Sequence, residues 1–87
     1  MATKVRVPQW GMGIKEGKVA QWLKREGDVV EEGEPLVEIE TAKALQEIEA
    51  PAGGLLAKIL VEEGVMVPVR EVIAIIAEPG EVIEESG

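Results

Sequence analysis

Residues 37–49 read VEIETAKALQEIE, nearly the same from either end. Val37, Ile39 and Ile48 alternate with Glu38, Glu40, Glu47 and Glu49, the period-two pattern of strands with one apolar and one solvated face. Two such arms around a short centre predict a β-hairpin with a single cation, Lys43, at its tip. With Ala42 and Lys43 as a two-residue loop, Thr41 faces Ala44, Ile39 faces Gln46 and Val37 faces Ile48. The other face then carries Glu38, Glu40, Leu45, Glu47 and Glu49, which sets Leu45 as an apolar residue on an acidic, solvated surface beside the lysine.

The same grammar extends along the chain. KVRVP, KVAQWLK, PLVEIET, LQEIEA, GLLAKIL and EVIAIIA are short Val/Ile/Leu-rich segments. Between them lie turn clusters such as PQWGMG, REGD, EEGEP, APAGG, EEGVMVP and EPGE. Close-spaced strands punctuated by Gly and Pro indicate an all-β sandwich or barrel. Laid on residues 54–77, residues 17–40 place Gly17, Ala20, Leu23, Glu26, Gly27, Val30 and Glu34 on Gly54, Ala57, Leu60, Glu63, Gly64, Val67 and Glu71. Val19/Leu56, Trp22/Ile59, Leu36/Ile73 and Ile39/Ile76 keep their apolar character. This is an internal duplication, with Gly27 and Gly64 expected in equivalent positive-φ turns. Neither half can cover its own apolar face, so the expected architecture is two packed sheets related by a pseudo-two-fold axis. Lys43 maps onto Gly80, which places the lysine turn and the exit of the chain at opposite ends.

Composition narrows the function. With 9 Lys and Arg against 17 Asp and Glu, the net charge of −8 disfavours nucleic acid and anionic membrane as partners and suits docking to basic protein surfaces. Cysteine, histidine and tyrosine are absent and the one serine is Ser86, so no thiolate or imidazole metal site and no ordinary nucleophile–base pair can be assembled. Intrinsic catalysis is not expected. No apolar run reaches the roughly 20 residues of a membrane helix, and no signal or transit segment is seen ahead of the fold, so a cytoplasmic location is expected.

A lysine on a hairpin tip is commonly only a solvated turn residue. Three features favour a function for Lys43. Its turn lacks Gly, Asn and Asp, so ordinary turn chemistry does not explain the sequence. Ala42 and Ala44 leave it sterically open, and every other charge on the hairpin is negative.

At these residues the chain resembles the lipoyl domain of the acyltransferase component of 2-oxo acid dehydrogenase complexes. The resemblance is carried, in order over residues 4–77, by PQWGMGIKEG, WLKREGDVVEEGEPLVEIET, the AKA around Lys43, EAPAGG and LVEEGVMVPV. It implies a flattened β-barrel or sandwich of two four-stranded antiparallel sheets, formed by residues 1–77, with residues 78–87 beginning an acidic linker of a longer chain. It implies lipoic acid in amide linkage to Lys43, attached by a lipoate ligase. The implied role is a non-catalytic swinging arm serving a thiamine-diphosphate-dependent decarboxylase, an acyltransferase core and dihydrolipoamide dehydrogenase. Ala42, Ala44, Leu45, Trp10 and Gly11 are the expected recognition residues, although Trp10 also fits a simple cap on the core. The sequence departs from the family at Ala42, where Asp is usual. Two alternatives stay open: a biotin carrier, whose flanking methionines are absent here, and a structural module that carries no cofactor. The H-protein of glycine cleavage shares fold and cofactor, but its longer N-terminal part and extra helices are missing.

Overall fold

A computed structural model of the chain describes residues 2–11 and 13–78. Among them there are eight strands and no helix: β1 (Thr3–Arg6), β2 (Glu16–Trp22), β3 (Val29–Val30), β4 (Pro35–Glu40), β5 (Leu45–Glu49), β6 (Gly54–Ile59), β7 (Met66–Pro68) and β8 (Val72–Ala77). They form two four-stranded antiparallel sheets, ordered β1-β8-β6-β3 and β5-β4-β2-β7. No ladder among the described residues joins the sheets, so the expected flattened barrel or sandwich is an open sandwich rather than a closed barrel.

The duplication is visible in this topology. Exchanging β1 with β5, β2 with β6, β3 with β7 and β4 with β8 turns one sheet order into the other. Irregularities repeat too. The β2–β4 ladder shifts register between Val19 and Gln21, and the β6–β8 ladder shifts between Leu56 and Lys58, the equivalent residues. Gly27 and Gly64 close matching turns at φ 96° and 91°, a region that side chains with a Cβ enter at a cost. The short strands β3 and β7 were not separately legible in the sequence. Each holds two or three residues inside a turn-rich stretch, too few to alternate.

Leu36, Ile39, Leu56, Ile73, Ile76, Val5, Val7, Val19, Val30 and Val37 are fully buried between the sheets, and no polar side chain among the described residues is buried with them. Burying such a side chain contributes roughly 1.5–3 kcal/mol, so these residues dominate the stability. Ile39 lies against Gly17, and its duplicate Ile76 against Gly54. A Cβ on Gly17 would run into the Ile39 methyl; one on Gly54 would run into the Ala77 carbonyl as well as Ile76.

The topology also fixes the two ends of the molecule. β4 runs into the Lys43 turn, and Lys18 near the start of β2 lies opposite Glu40. Val69, just after β7, donates from its amide to Lys15 O (2.9 Å), while the Arg70 amide donates to Val7 O. The β1–β2 loop holding Trp10 and Gly11 and the β7–β8 turn therefore share the Lys43 end. β8 leads away from it and brings Ile76 opposite Thr3 at the other end. The expected partner of Lys43, Gly80, and the proposed linker beyond residue 78 lie outside the described residues.

Gly54→Ala is expected to lower stability by at least about 2 kcal/mol, because backbone, not a movable side chain, meets the new methyl and φ is 151°. Gly27→Ala, whose methyl meets no neighbour, should lose only about 1 kcal/mol. Urea unfolding at constant m distinguishes them; equal losses would contradict the close packing at Gly54.

Candidate functional site

The hairpin has the register read from its sequence. Val37 pairs with Ile48, Glu38 with Glu47, Ile39 with Gln46 and Glu40 with Leu45. The Thr41 amide donates to Ala44 O (2.9 Å), leaving Ala42 and Lys43 as the two-residue loop. Ala42, Lys43, Ala44 and Leu45 are all exposed. Leu45 keeps 55% of its surface in solvent, on the face it shares with the glutamates.

The local chemistry of the turn corrects one expectation. Gly, Asn and Asp are absent, yet the turn has its own polar organiser. Thr41 Oγ1 donates to Ala44 O (2.8 Å) and accepts from the amides of Ala44 (3.1 Å) and Lys43 (3.3 Å). Ser and Thr hydroxyls close turns in this way, more weakly than Asn or Asp. Neither Ala42 nor Lys43 has positive φ, so the loop is not one of the primed turns that usually join hairpin strands. The signal was present in the sequence as a Thr one residue before the loop.

Glu38 and Glu47 are directly opposed, an arrangement that costs some pairing energy and makes the stem strongly acidic. No ion pair engages Lys43 among the described residues; the one between Lys24 and Glu34 (2.7 Å) lies before the far end of β4. There the mutual hydrogen bond raises the pKa of Lys24 and lowers that of Glu34. The described residues contain no group of three His, Cys, Asp or Glu side chains placed to hold a metal ion.

Beside the turn, a shallow groove of 360 Å3 is lined by Glu16, Lys18, Glu40, Thr41, Ala42 and Met66. Leu45, Glu40, Lys18 and Met66 form one row across β5, β4, β2 and β7 immediately below the turn. Met66, 52% exposed, was missed from the sequence; its only signal was its place opposite Lys18, visible once β7 is known. Trp10 is half-buried and packs against the core, the cap role considered for it. Gly11 is half-buried, and its carbonyl accepts from Gln9 Nε2 (2.9 Å), which also reaches Ile14 O (3.2 Å). Trp10 and Gly11 thus share an end with Lys43 without joining its turn. A larger cleft of 480 Å3 runs between the edge strands β1 and β5 and involves none of the turn residues.

A lone exposed amine on an ordered tip, with no enclosing pocket, suits covalent attachment in another protein's active site. Comparisons with known proteins identify relatives of the whole chain. The family model Biotin_lipoyl, described as "Biotin-requiring enzyme", matches residues 3–76. The dihydrolipoyllysine-residue acetyltransferase component of the pyruvate dehydrogenase complex of Rickettsia typhi is 44% identical over 82 residues, 93% of this chain and 20% of that protein. The corresponding component of the acetoin cleaving system of Bacillus subtilis is 44% identical over 85 residues, 98% of this chain and 21% of that protein. The chain thus spans about one fifth of the length of these curated relatives. The solution structure of the lipoyl domain of the 2-oxoglutarate dehydrogenase complex from Azotobacter vinelandii superposes with a TM-score of 0.70 at 35% identity, covering 86% of this chain and 95% of that one. Urea carboxylase of Kluyveromyces lactis superposes at 0.77 with 26% identity, covering 88% of this chain and 6% of that one.

Because Lys43 is exposed and takes part in no ion pair among the described residues, Lys43→Gln is expected to change the unfolding free energy by no more than about 0.5 kcal/mol. A larger loss in urea titration would make Lys43 a structural residue.

Proposed function

The chain belongs to the biotin/lipoyl attachment-domain family, and we propose that it is a lipoate carrier whose acceptor is the Nζ of Lys43. One observation carries the reading: the only cation of the hairpin stands exposed on a hydrogen-bonded two-residue tip between two alanines. The residues present fit an acyl group in amide linkage. Ala42 and Ala44 place no bulk beside the amine, and no described pocket encloses it. Lipoate is favoured over biotin because neither Ala42 nor Ala44 is the methionine of biotin carriers, and because the relatives at 44% identity are named for dihydrolipoyllysine.

Attachment needs little from the chain itself. A solvated ammonium is a weak nucleophile at neutral pH, so a ligase must bind the tip, take up the amine proton and supply an activated acyl group. A C–N bond forms at Nζ, the activating group leaves, and the positive charge disappears. When bound, lipoate supplies a disulfide that accepts electrons and an acyl group and is later reoxidised. The chain's residues supply presentation. The hairpin holds the attachment point, the sandwich behind it stays rigid, and the chain passes to the opposite end at Ile76 and Ala77.

The charge change has a consequence for partners. Once Lys43 is an amide, the stem presents Glu38, Glu40, Glu47 and Glu49 without any cation at the tip. Basic rims around the active sites of a thiamine-diphosphate-dependent decarboxylase, an acyltransferase core and dihydrolipoamide dehydrogenase would steer such a surface toward them. Catalysis then resides in these partners, and tethering raises the local concentration of the arm at each. Leu45, exposed beside the arm, is the apolar contact proposed for the decarboxylase.

Incubation with lipoate ligase, lipoate and ATP, followed by peptide mapping, should place the added mass on Lys43 alone. Modification of Lys15, Lys18, Lys24 or Lys58 with Lys43 bare would refute the assignment, and biotin on Lys43 of protein isolated from cells would identify the other carrier class. In a second experiment, Leu45→Lys should fold like the parent yet be reductively acylated about tenfold more slowly by the decarboxylase, the loss expected from about 1.4 kcal/mol of contact energy. Equal rates would remove Leu45 from the contact surface.

A further inference from the structure

We propose that Thr41 is the positioning residue of the acceptor site: its hydroxyl fixes the direction in which the tip presents Lys43. This rests on the reading of Lys43 as the modified residue. A hydroxyl has one donor and two acceptor sites, and Thr41 uses all of them within the turn. It donates to Ala44 O (2.8 Å) and accepts from the amides of Ala44 (3.1 Å) and Lys43 (3.3 Å). One of the two amides it holds is that of the residue bearing the acceptor amine. The Lys43 amide has no other partner recorded in the turn, where the backbone bond runs from Thr41 N to Ala44 O.

The rest of the loop offers no substitute. Ala42 and Ala44 carry no polar side-chain atom. The loop lacks positive φ at both central positions, so it forgoes the primed geometry that matches the twist of the strands. Unprimed turns tend to splay the strands they join, and the three bonds of the Thr41 hydroxyl oppose that within the loop. Because the Cα–Cβ direction of Lys43 follows from its backbone, the residue that holds its amide also sets where its long side chain starts. Thr41 does so from the last position before the loop, half-buried, clear of the solvated tip that a modifying enzyme must cover. Its methyl lies over Gly17 of β2, 3.5 Å from where a Cβ on that glycine would sit, while its oxygen faces the loop.

The test compares parent, Thr41→Val and Thr41→Ser as substrates of lipoate ligase with lipoate and ATP, at several domain concentrations. Valine keeps the branched shape and deletes the oxygen; serine keeps the oxygen. A loosened tip has to be ordered when it binds, which divides the apparent dissociation constant by the ordered fraction and so weakens binding. The expected result for Thr41→Val is therefore a KM raised about tenfold at unchanged kcat, with Thr41→Ser restoring the parent KM. A second readout is independent of the ligase. Hydrogen exchange at the Lys43 and Ala44 amides should accelerate in Thr41→Val while amides of β2 and β6 keep their protection. A purely structural role would raise KM in the same way by reducing the folded fraction, but exchange would then accelerate across β2 and β6 as well as at the Lys43 and Ala44 amides. That pattern, an unchanged KM, or failure of serine to rescue overturns the positioning role while leaving the carrier function intact. A parent that the ligase does not modify at Lys43 overturns the carrier reading and this inference with it.

Discussion

Everything in this chain depends on two identical problems solving each other. Each half of the duplication supplies two strands to each sheet, rather than one sheet of its own, so neither sheet nor its apolar face is complete without the other half. The contact of Ile39 with Gly17 on one side, and of Ile76 with Gly54 on the other, marks the closeness of the packing. A sandwich of this size has no helix layer to fall back on among its described residues. The small side chains at residues 17 and 54 are as much a part of the core as the large ones that lie on them. Since no polar side chain is buried among the described residues, apolar burial there is not offset by desolvation of buried side-chain charge. The core can therefore stay compact without any cross-link.

That division of labour frees the surface. Because the inner faces supply the stability, the outer face of the β4–β5 hairpin can tolerate Glu38 opposite Glu47 and an exposed Leu45. Each is unfavourable by a few tenths of a kcal/mol to about 1 kcal/mol, small beside the core. The result is an acidic stem below a single amine. On the carrier reading, the value of this pattern lies in what partner proteins would meet there.

The sequence made the hairpin legible down to register, because period-two alternation on both arms and a two-residue centre leave one pairing that buries Val37, Ile39 and Ile48 together. Duplication was legible for a similar reason: turns repeat their glycines, and Gly27 and Gly64 both adopt the positive φ expected of them. What failed was everything that depends on tertiary partners rather than on local pattern. β3 and β7 are strands only because β6 and β2 pair with them, and Met66 acquires its place beside the lysine turn only through β7. Openness of the sandwich likewise depends on edges that no local pattern reports. Thr41 is a different kind of miss. The residue was in view, but attention to Gly, Asn and Asp passed over the hydroxyl that organises the loop.

The two-fold relation also explains how one molecule can be anchored and exposed at once. Duplicated strands β4 and β8 must end at opposite poles, because the axis that exchanges them reverses their direction. One of these ends turns sharply through Ala42 and Lys43, and the other, at Ala77, lies beside Thr3 where the chain enters. An attachment at the first pole is thus separated from the covalent path of the chain by the full length of a rigid strand pair. Backbone and the Thr41 hydroxyl hold the loop closed at that pole, and Lys43 extends from it into solvent. On the carrier reading, a stiff body behind an exposed attachment point would confine motion to the arm, which is the physical requirement for delivering a bound group to several surfaces without unfolding anything that holds it.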